Sequence, residues 1–174
     1  MSEFDQILLD AGVLTYKATS GGSEVEIGFT RGGSFKDNYT LREIEVDGKR
    51  APVVGDRVVE SSAPTLEFNL LQMKSALIGD VFAGMSITDA TGIKTIKRSN
   101  TIASTDYLYT VTWTGTLKNG KTAKIVLDNA LGIAPVELKI ADKGEIEIPA
   151  TFLAHNTSVD TTTLPYSLII DETV

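Results

Sequence analysis

The chain has 174 residues, a formal net charge of −7, and a hydrophobic content of 42%. This length and composition predict one folded domain spanning residues 1–174, and they exclude a disordered chain. With 16 basic residues against 23 acidic ones, the chain lacks the positive surface of a protein that grips DNA by its phosphates. The absence of cysteine excludes disulfides and thiolate chemistry. No apolar run approaches the roughly 18 residues of a membrane-spanning helix.

The first 30 residues predict an N-terminal arm followed by two strands. Residues 1–10 lack the basic and apolar regions of a signal peptide, so we expect the chain to be made in a cytoplasm. Their Ile and Leu residues either pack on the same domain or form an arm that docks on a neighbouring subunit. Alternation predicts a strand at 13–19, a flexible turn at 19–23 and a half-buried strand at 24–30. The inward residues expected for that second strand are Val25, Ile27 and Phe29.

The stretch from 32 to 59 predicts a charged β-hairpin. Two extended runs, 39–46 and 53–59, meet at Asp47-Gly48, a pair that accepts the positive φ angles of a tight turn. The first run has one apolar side and one charged side, so one of its faces is expected to contact water or a polar partner. Glycines at 31–34 predict a bend before the hairpin, and we expect 31–38 to be flexible.

The middle of the chain predicts one strand and one helix. Leu66, Phe68 and Leu70 alternate with polar residues, which predicts a strand at 63–70. Apolar residues at spacings of three and four predict an α-helix at about 72–83, which ends near Gly84. Residues 86–105 are rich in Thr, Ser, Asn and Lys and predict a loop, with at most a short strand near 93–102.

The C-terminal third predicts further strands. A strand at 106–117 is expected to place Tyr107, Tyr109, Val111, Trp113 and Leu117 on one face. Asn119-Gly120 predicts a type I′ hairpin turn to a strand at 122–127. The remaining predictions are a helical turn at 128–132, strands at 137–140, 145–154 and 166–170, a turn at 142–144 and a flexible linker at 156–163. The predicted fold is mainly β, a β-sandwich or barrel of about eight strands with one packed α-helix.

No motif in the sequence predicts catalysis. Residues 115–122 match the phosphate-binding P-loop pattern, but strands rather than a strand and a helix surround them, so a hairpin is expected. Paired carboxylates at 24/26, 43/45 and 145/147 lie in simple alternating patterns. His155 is the only histidine, so an imidazole-based metal site would lack a second ligand. We therefore predict a protein that is not an enzyme, with no catalytic, cofactor-binding or metal-binding residues.

Four segments carry a resemblance to a known family. They are residues 32–59, with their Gly-Gly approach, charged strand, Asp-Gly turn and Val-Gly-Asp-Arg strand, and residues 63–72, 126–132 and 144–156. Taken in this order, they resemble the tail tube (major tail) proteins of long non-contractile-tailed bacteriophages. The resemblance covers most of the chain, and its motifs are loose.

The resemblance implies a structural virion protein that assembles into hexameric rings. Each subunit would contribute strands to a continuous β-barrel around a channel, and stacked rings would form the tail tube through which DNA is ejected. The implied partners are other copies of the chain, the tape measure, tail tip and terminator proteins, and DNA only in transit, without a membrane. The implied location is the virion tail, after synthesis in the host bacterial cytoplasm.

The acidic composition suggests what the channel would look like. A negative lumen repels the phosphates of passing DNA, whereas a basic lumen would trap them. The carboxylates expected to line the lumen are Glu24, Glu26, Glu43, Glu45 and Glu67.

A second function remains open from the sequence. A β-sandwich can also be a binding module of the carbohydrate-binding or immunoglobulin-like kind. Trp113, Tyr107 and Tyr109 would then form an aromatic platform for a sugar, although their alternation also fits core packing.

Overall fold

A computed structural model describes residues 12–138, 145–159 and 162–172 of the chain. Within these residues the protein is mainly β, with ten strands and one α-helix, which confirms the predicted fold class. The strands are β1 Val13–Lys17, β2 Val25–Glu26, β3 Thr30–Glu43, β4 Arg57–Leu70, β5 Met85–Ala90, β6 Ile93–Arg98, β7 Tyr107–Thr116, β8 Thr122–Gly132, β9 Ile148–Leu153 and β10 Tyr166–Ile170. Helix α1 is Ser75–Val81, and a 3₁₀ turn spans Ser104–Asp106.

Eight of these strands form one antiparallel sheet in a sandwich-like arrangement. The order is β2-β1-β7-β8-β9-β4-β3, and β10 pairs with the first half of β8. Strand β8 connects the two halves, because its last residues, Leu131 and Gly132, pair with β9. The core lies between them, where Val111 and Leu127 of one half are buried in the same cluster as Phe152 of the other.

Helix α1 is shorter than the prediction of 72–83 and covers one side of the core. It has no side-chain N-cap, and it buries Leu77, Ile78 and Val81. Seven residues are too few for a stable isolated helix, so packing must hold it in place. The closest packing is at Gly132, where an added Cβ would lie 1.7 Å from the Val81 carbonyl oxygen. The helix therefore depends on a glycine 51 positions later in the chain.

Several predicted strands are confirmed close to their predicted bounds. Strand β1 occupies most of 13–19, and β10 has the predicted bounds 166–170. The predicted strand at 63–70 is the second half of β4, with its alternating apolar residues buried. In the predicted strand 145–154, the buried side chains begin at Ile148, and Ile146 is exposed.

The prediction for 24–30 is wrong for most of the segment. Strand β2 has only two residues, and the side chains of Val25 and Phe29 are 44% and 70% exposed. Ile27 is fully buried, and its amide donates to the carbonyl of Leu14. The regular alternation ends at Gly28, whose φ of +79° turns the chain before Phe29 reaches the core.

The prediction of a loop at 86–105 is also wrong, since most of it forms the β5–β6 hairpin. The short strand predicted near 93–102 is confirmed as β6. The hairpin turn has Thr91 and Gly92 at φ values of 53° and 84°. Positive φ at both central residues is the geometry of a type I′ turn. Threonine is rare at positive φ, so Thr91-Gly92 does not match the usual sequence patterns of a hairpin turn.

Three details of β7 and β8 differ from the prediction. The hairpin between them is confirmed, but only Gly120 has a positive φ, and its amide donates to the carbonyl of Leu117, so the turn is type I with a bulge rather than type I′. The helical turn predicted at 128–132 is part of β8. Asn129 has a φ of 46°. In the part of β7 beside it, the inward and outward positions are exchanged relative to the prediction, so that Leu108 is buried and Tyr109 is exposed.

Some predictions lie outside the described residues. These are the N-terminal arm at 1–10, the turn at 142–144 and half of the strand at 137–140, whose described residues Glu137 and Leu138 are not in a strand. The linker at 156–163 is described except for 160–161, and its described residues are in no helix or strand.

Candidate functional site

The long hairpin of β3 and β4 extends beyond the rest of the sheet. Strand β9 pairs with β4 only from Thr65 to Leu70. Residues 57–63 of β4 therefore have β3 as their only partner, and within the described residues β3 has no second neighbour. We call residues 38–43 and 57–63 the ribbon. A two-stranded ribbon is marginally stable alone, and its free edges offer unpaired N–H and C=O groups to another strand.

One face of the ribbon is apolar and exposed. It continues the core-facing side of β3 and β4, which carries Phe35 and the buried Leu66. Beyond the core the same side carries Tyr39, Leu41 and Val59, with 53%, 48% and 53% of their surfaces exposed. Aromatic and aliphatic side chains paired across strands normally pack against a covering layer. This face lacks such a layer within the described residues.

The other face of the ribbon is polar, as the sequence predicted for this strand. Thr40 and Ser61 share a hydrogen bond of 2.6 Å, and Lys36 forms an ion pair of 2.8 Å with Glu67. Arg42 approaches Glu60 at 4.0 Å. The exposed ion pairs contribute little stability, but they leave few unpaired charges on this face.

The same polar surface continues towards β9 through Arg31. Its guanidinium pairs with Glu147 at 2.9 Å and with Glu145 at 3.3 Å. A backbone hydrogen bond at Glu145 and the Arg31 guanidinium lower the pKa of the Glu145 carboxyl. Arg31 lies where a bend was predicted, but the Gly-Gly pair that follows forms a register shift within β3, so 31–38 is strand. The ionised form of Glu145 is thus favoured beside this cation, which does not suit a general acid.

A wide loop, 44–56, connects the ribbon strands in place of the predicted tight turn. Gly48 has the expected positive φ of 84°, but strand pairing stops at Glu43 and Arg57. The reason is an ion-pair network, in which Lys49 contacts both Glu43, at 2.5 Å, and Asp56. Asp56 also accepts a hydrogen bond of 2.8 Å from the amide of Val53.

The contacts of Lys49 and Asp56 hold this loop in place, and its exposed tip is apolar. The hydrogen bond from Lys49, followed by that from the Val53 amide, lowers the pKa of Asp56. Hydrogen bonds to Asp56 and Glu43 raise the pKa of Lys49. The side chains of Val46, Val53 and Val54 point away from this network and are exposed, Val54 completely. An ordered loop that presents valines to solvent is a second surface suited to contact with another protein.

The structure does not bring the five candidate lumen glutamates together. Glu67 lies on the polar face, where it pairs with Lys36. Glu43 lies at the end of the ribbon in the Lys49 network, and Glu45 lies in the loop that follows.

The other two lie on or beside β2, at the opposite edge of the sheet. Glu24 accepts a hydrogen bond of 2.6 Å from Thr15, and Glu26 is in β2. Sequence reasoning predicted a charged side for the run 39–46, which contains Arg42, but missed Lys36 and Glu60 as members of the polar face. The alternation along β3 was the signal that could have identified Lys36.

The aromatic residues predicted as a sugar platform are separated. Trp113 lines an apolar cavity of about 370 Å³ with Leu14, Phe35 and Leu66. Tyr109 lines a different cavity, and Tyr107 packs edge-on against His155 with ring centres 5.1 Å apart. The three rings therefore do not form one platform.

The P-loop-like string forms the β7–β8 hairpin, and a strand rather than a helix follows it. Among the described residues there is no group of three or more His, Cys, Asp or Glu side chains placed to hold a metal ion. In the same part of the chain, no helix is long and apolar enough to cross a membrane. Comparison with models of known protein families and with curated protein sequences finds no match to this chain.

Proposed function

We propose that this protein is a structural subunit of a bacteriophage tail tube, in which copies assemble into stacked hexameric rings. The observation that carries the proposal is the ribbon, with its free strand edges and its exposed apolar face. A ribbon of this kind is completed when the strands of a neighbouring copy pair with its edges. Repeating that pairing around a ring closes a continuous β-barrel, which leaves no free edge.

The two faces of the ribbon suggest how such a barrel would be oriented. The apolar face, with Tyr39, Leu41 and Val59, would pack against the body of a neighbouring copy. The polar face would then line the channel. This orientation puts Glu67 and Glu60 in the lumen, Glu43 at a subunit contact, and Glu24 and Glu26 away from the channel.

The charges on the polar face suit a conduit for DNA. Three cations, Arg31, Lys36 and Arg42, pair with the four carboxylates Glu60, Glu67, Glu145 and Glu147. These groups of the polar face therefore sum to one negative charge per subunit, three positive against four negative, with the cations neutralised locally. Affinity for DNA depends on cations that replace the counterions of the phosphates, and paired cations do this poorly. Ejected DNA would pass without being retained.

The remaining partners follow from this role. The proposed assembly acts with a tape measure protein, a tail tip and a terminator, in the virion tail, after synthesis in the host cytoplasm. DNA is present only in transit, and the protein is not an enzyme. The exposed valines of loop 44–56 would contact another copy of the chain.

Assembly is tested by negative-stain electron microscopy and light scattering of the purified protein at high concentration, with and without tail tip complexes. The proposal predicts hollow tubes or six-membered rings. A Leu41→Asp variant should stay monomeric, because it puts a charge on the apolar face. Val13→Asp, the same one-unit charge change at an equally exposed aliphatic residue of β1, is the matched control and should still assemble. Wild-type protein that remains monomeric even beside tail tips contradicts the proposal.

The lumen assignment is tested separately with Glu67→Lys. Tubes of this variant should bind DNA at low salt and release it as salt rises, because the variant leaves unpaired cations in the channel. Glu26→Lys makes the same charge change on β2 and should leave the channel unchanged. If both variants bind DNA equally, Glu67 does not line the lumen.

The alternative is a β-sandwich binding module. The apolar cavity beside Trp113 is the observation in its favour, since apolar pockets with an aromatic wall are common ligand sites. Sugars added to the monomer would then protect Trp113 fluorescence from an aqueous quencher. An unchanged quenching constant across a panel of sugars rules out this use of the cavity.

A further inference from the structure

A second cavity, of about 380 Å³, lies beside the middle of β8 and has a polar wall. Its lining includes Tyr109, Asp128, Asn129, His155, Thr157 and Thr163. None of these residues belongs to the ribbon or to loop 44–56. The cavity is therefore independent of the surfaces proposed for assembly.

The backbone of β8 is arranged to turn polar side chains into this cavity. Leu127 and Ala130 are both fully buried although they are three residues apart. The φ of 46° at Asn129 makes this possible, because it interrupts the alternation of faces. The Asn129 amide group donates to the carbonyl of His155 at 3.1 Å, and the His155 amide donates to the carbonyl of Asp128 at 3.1 Å. These bonds fix the three residues relative to one another.

The carboxylate of Asp128 has no hydrogen bond or ion pair within the described residues. Partial burial raises the pKa of this carboxyl, and neither a donor nor a cation offsets the effect. Partly buried carboxylates are normally paired, because desolvation of an unpaired charge is costly. Asp128 is thus an acceptor without a donor.

The cavity holds other acceptors beside Asp128, together with the hydroxyls of Thr157 and Thr163 and the side-chain amide of Asn156, which can donate as well as accept. The Nδ1 of His155 lies 3.0 Å from the carbonyl oxygen of Leu153 and donates to it, and in that tautomer Nε2 is an acceptor. The Oδ1 of Asn129 has no partner among the described residues, because its hydrogen bond uses the amide nitrogen. The carboxylate of Asp128 is the acidic group of this lining, so the cavity favours a ligand that carries donors and positive charge.

The shape and composition of the cavity narrow the ligand class. One carboxylate and one imidazole are fewer ligands than a protein metal site uses, and no cluster of three is found in the described part of the chain. Tyr109 exposes 44% of its surface at the rim. A planar cation stacks on such a ring and can form two parallel hydrogen bonds to one carboxylate, which an ammonium group cannot do.

We propose that this cavity binds a guanidinium group, held by the carboxylate of Asp128 and stacked on the ring of Tyr109. Two sources can supply it: a small arginine-like molecule, or the side chain of an arginine on a second copy of the chain. Arg31, Arg42 and Arg57 already have carboxylate partners. Arg50 and Arg98 are exposed and have no ion pair within the described residues, so they are the arginines available to another copy.

The single histidine makes the test direct, because the imidazole signals in an NMR spectrum come only from His155. The probe is N-acetyl-arginine amide, and its neutral isostere N-acetyl-citrulline amide is the matched control. The arginine derivative should shift the His155 signals in a saturable way, and the citrulline derivative should not. Asp128→Asn should weaken binding about tenfold or more, because it removes a charge-assisted pair. Glu26→Gln removes a distant carboxylate and should leave the affinity unchanged.

Tyr109→Ala should weaken binding by roughly two- to fivefold through lost stacking. Equal shifts with the citrulline derivative, a saturable response to glucose, or unchanged affinity in Asp128→Asn would each overturn the proposal.

A further measurement, of self-association, distinguishes the two sources of the guanidinium group. If the arginine derivative inhibits self-association and Arg50→Ala or Arg98→Ala does the same, the guanidinium comes from a second copy. If it binds the monomer without affecting self-association, the ligand is a free molecule.

Discussion

The body of the sandwich and the ribbon are made from the same two long strands, and they differ in what covers them. From Thr65 onwards, β4 has neighbours on both edges, and its inward residues reach the core. Before Ala63 the strand has one neighbour within the described residues, and Val59 is 53% exposed. The body is therefore stabilised by its own packing, whereas the ribbon has surfaces that only another molecule can cover. The comparison separates residues needed for folding from residues needed for assembly.

Truncation of one aromatic residue in each region tests whether the body contributes more to stability than the ribbon. Phe152→Ala should lower the free energy of unfolding by about 3–5 kcal/mol, because Phe152 is fully buried and packs against Phe68. Tyr39→Ala should lower that of the monomer by less than about 1 kcal/mol, because Tyr39 is half exposed. Urea denaturation followed by circular dichroism measures both. Equal losses would show that the ribbon is already covered in the monomer.

Gly132→Ala should have the next largest effect, since the added methyl group would collide with the Val81 carbonyl. We expect a loss of about 3 kcal/mol, at the upper end of overpacking effects, together with detachment of α1. Gly21→Ala is the matched control, because no atom lies within 4 Å of the added Cβ, and its φ is not positive. If the two variants have the same urea midpoint, the close approach of α1 to β8 is not needed for stability.

The smallest expected effect concerns the order of loop 44–56. The lowered pKa of Asp56 means that this carboxyl stabilises the fold above its unfolded pKa of about 3.9, and that the stabilisation is lost as pH falls through its folded pKa. Once the pH falls below this lowered pKa, the Val53 amide should therefore exchange with solvent faster relative to other amides, because its acceptor is protonated. Hydrogen exchange corrected for the intrinsic rate measures this.

Asp56→Asn should show fast Val53 exchange at every pH, whereas Asp47→Asn, in the same loop, should behave like the wild type. Slow exchange of Val53 in Asp56→Asn would show that the ion pairs do not organise the loop.

Local patterns predicted much of the body. Strands with one buried face, such as β9 and the second half of β4, were found because their apolar residues alternate. Failures occurred where a single backbone angle changed the pattern, at Gly28, Thr91 and Asn129. Glycine and asparagine permit a positive φ without requiring it, so their presence alone does not predict where the backbone adopts one.

The ribbon was predictable only in part. Its two-sided character follows from the alternation of Tyr39 and Leu41 with Thr40 and Arg42. That its edges are free depends on where β9 stops along β4, which is a contact between residues more than 80 positions apart. The Lys49 network was also missed. The Asp-Gly pair predicts a tight turn, and the same pair occurs here in a loop that ion pairs hold open. The cavity at Asp128 was missed because Asp128 and Asn129 were assigned to a helical turn, whereas its other residues were assigned to separate strands and a linker.

Hydrogen exchange of the ribbon before and after assembly tests whether the copies assemble by pairing through the free edges of the ribbon. In the monomer, the amides on the free edges of 38–43 and 57–63 should exchange quickly, because solvent is their only partner. In assembled particles, the same amides should become protected by orders of magnitude, while those of β7 change little. Particles in which the ribbon amides exchange as fast as in the monomer would contradict assembly through the ribbon.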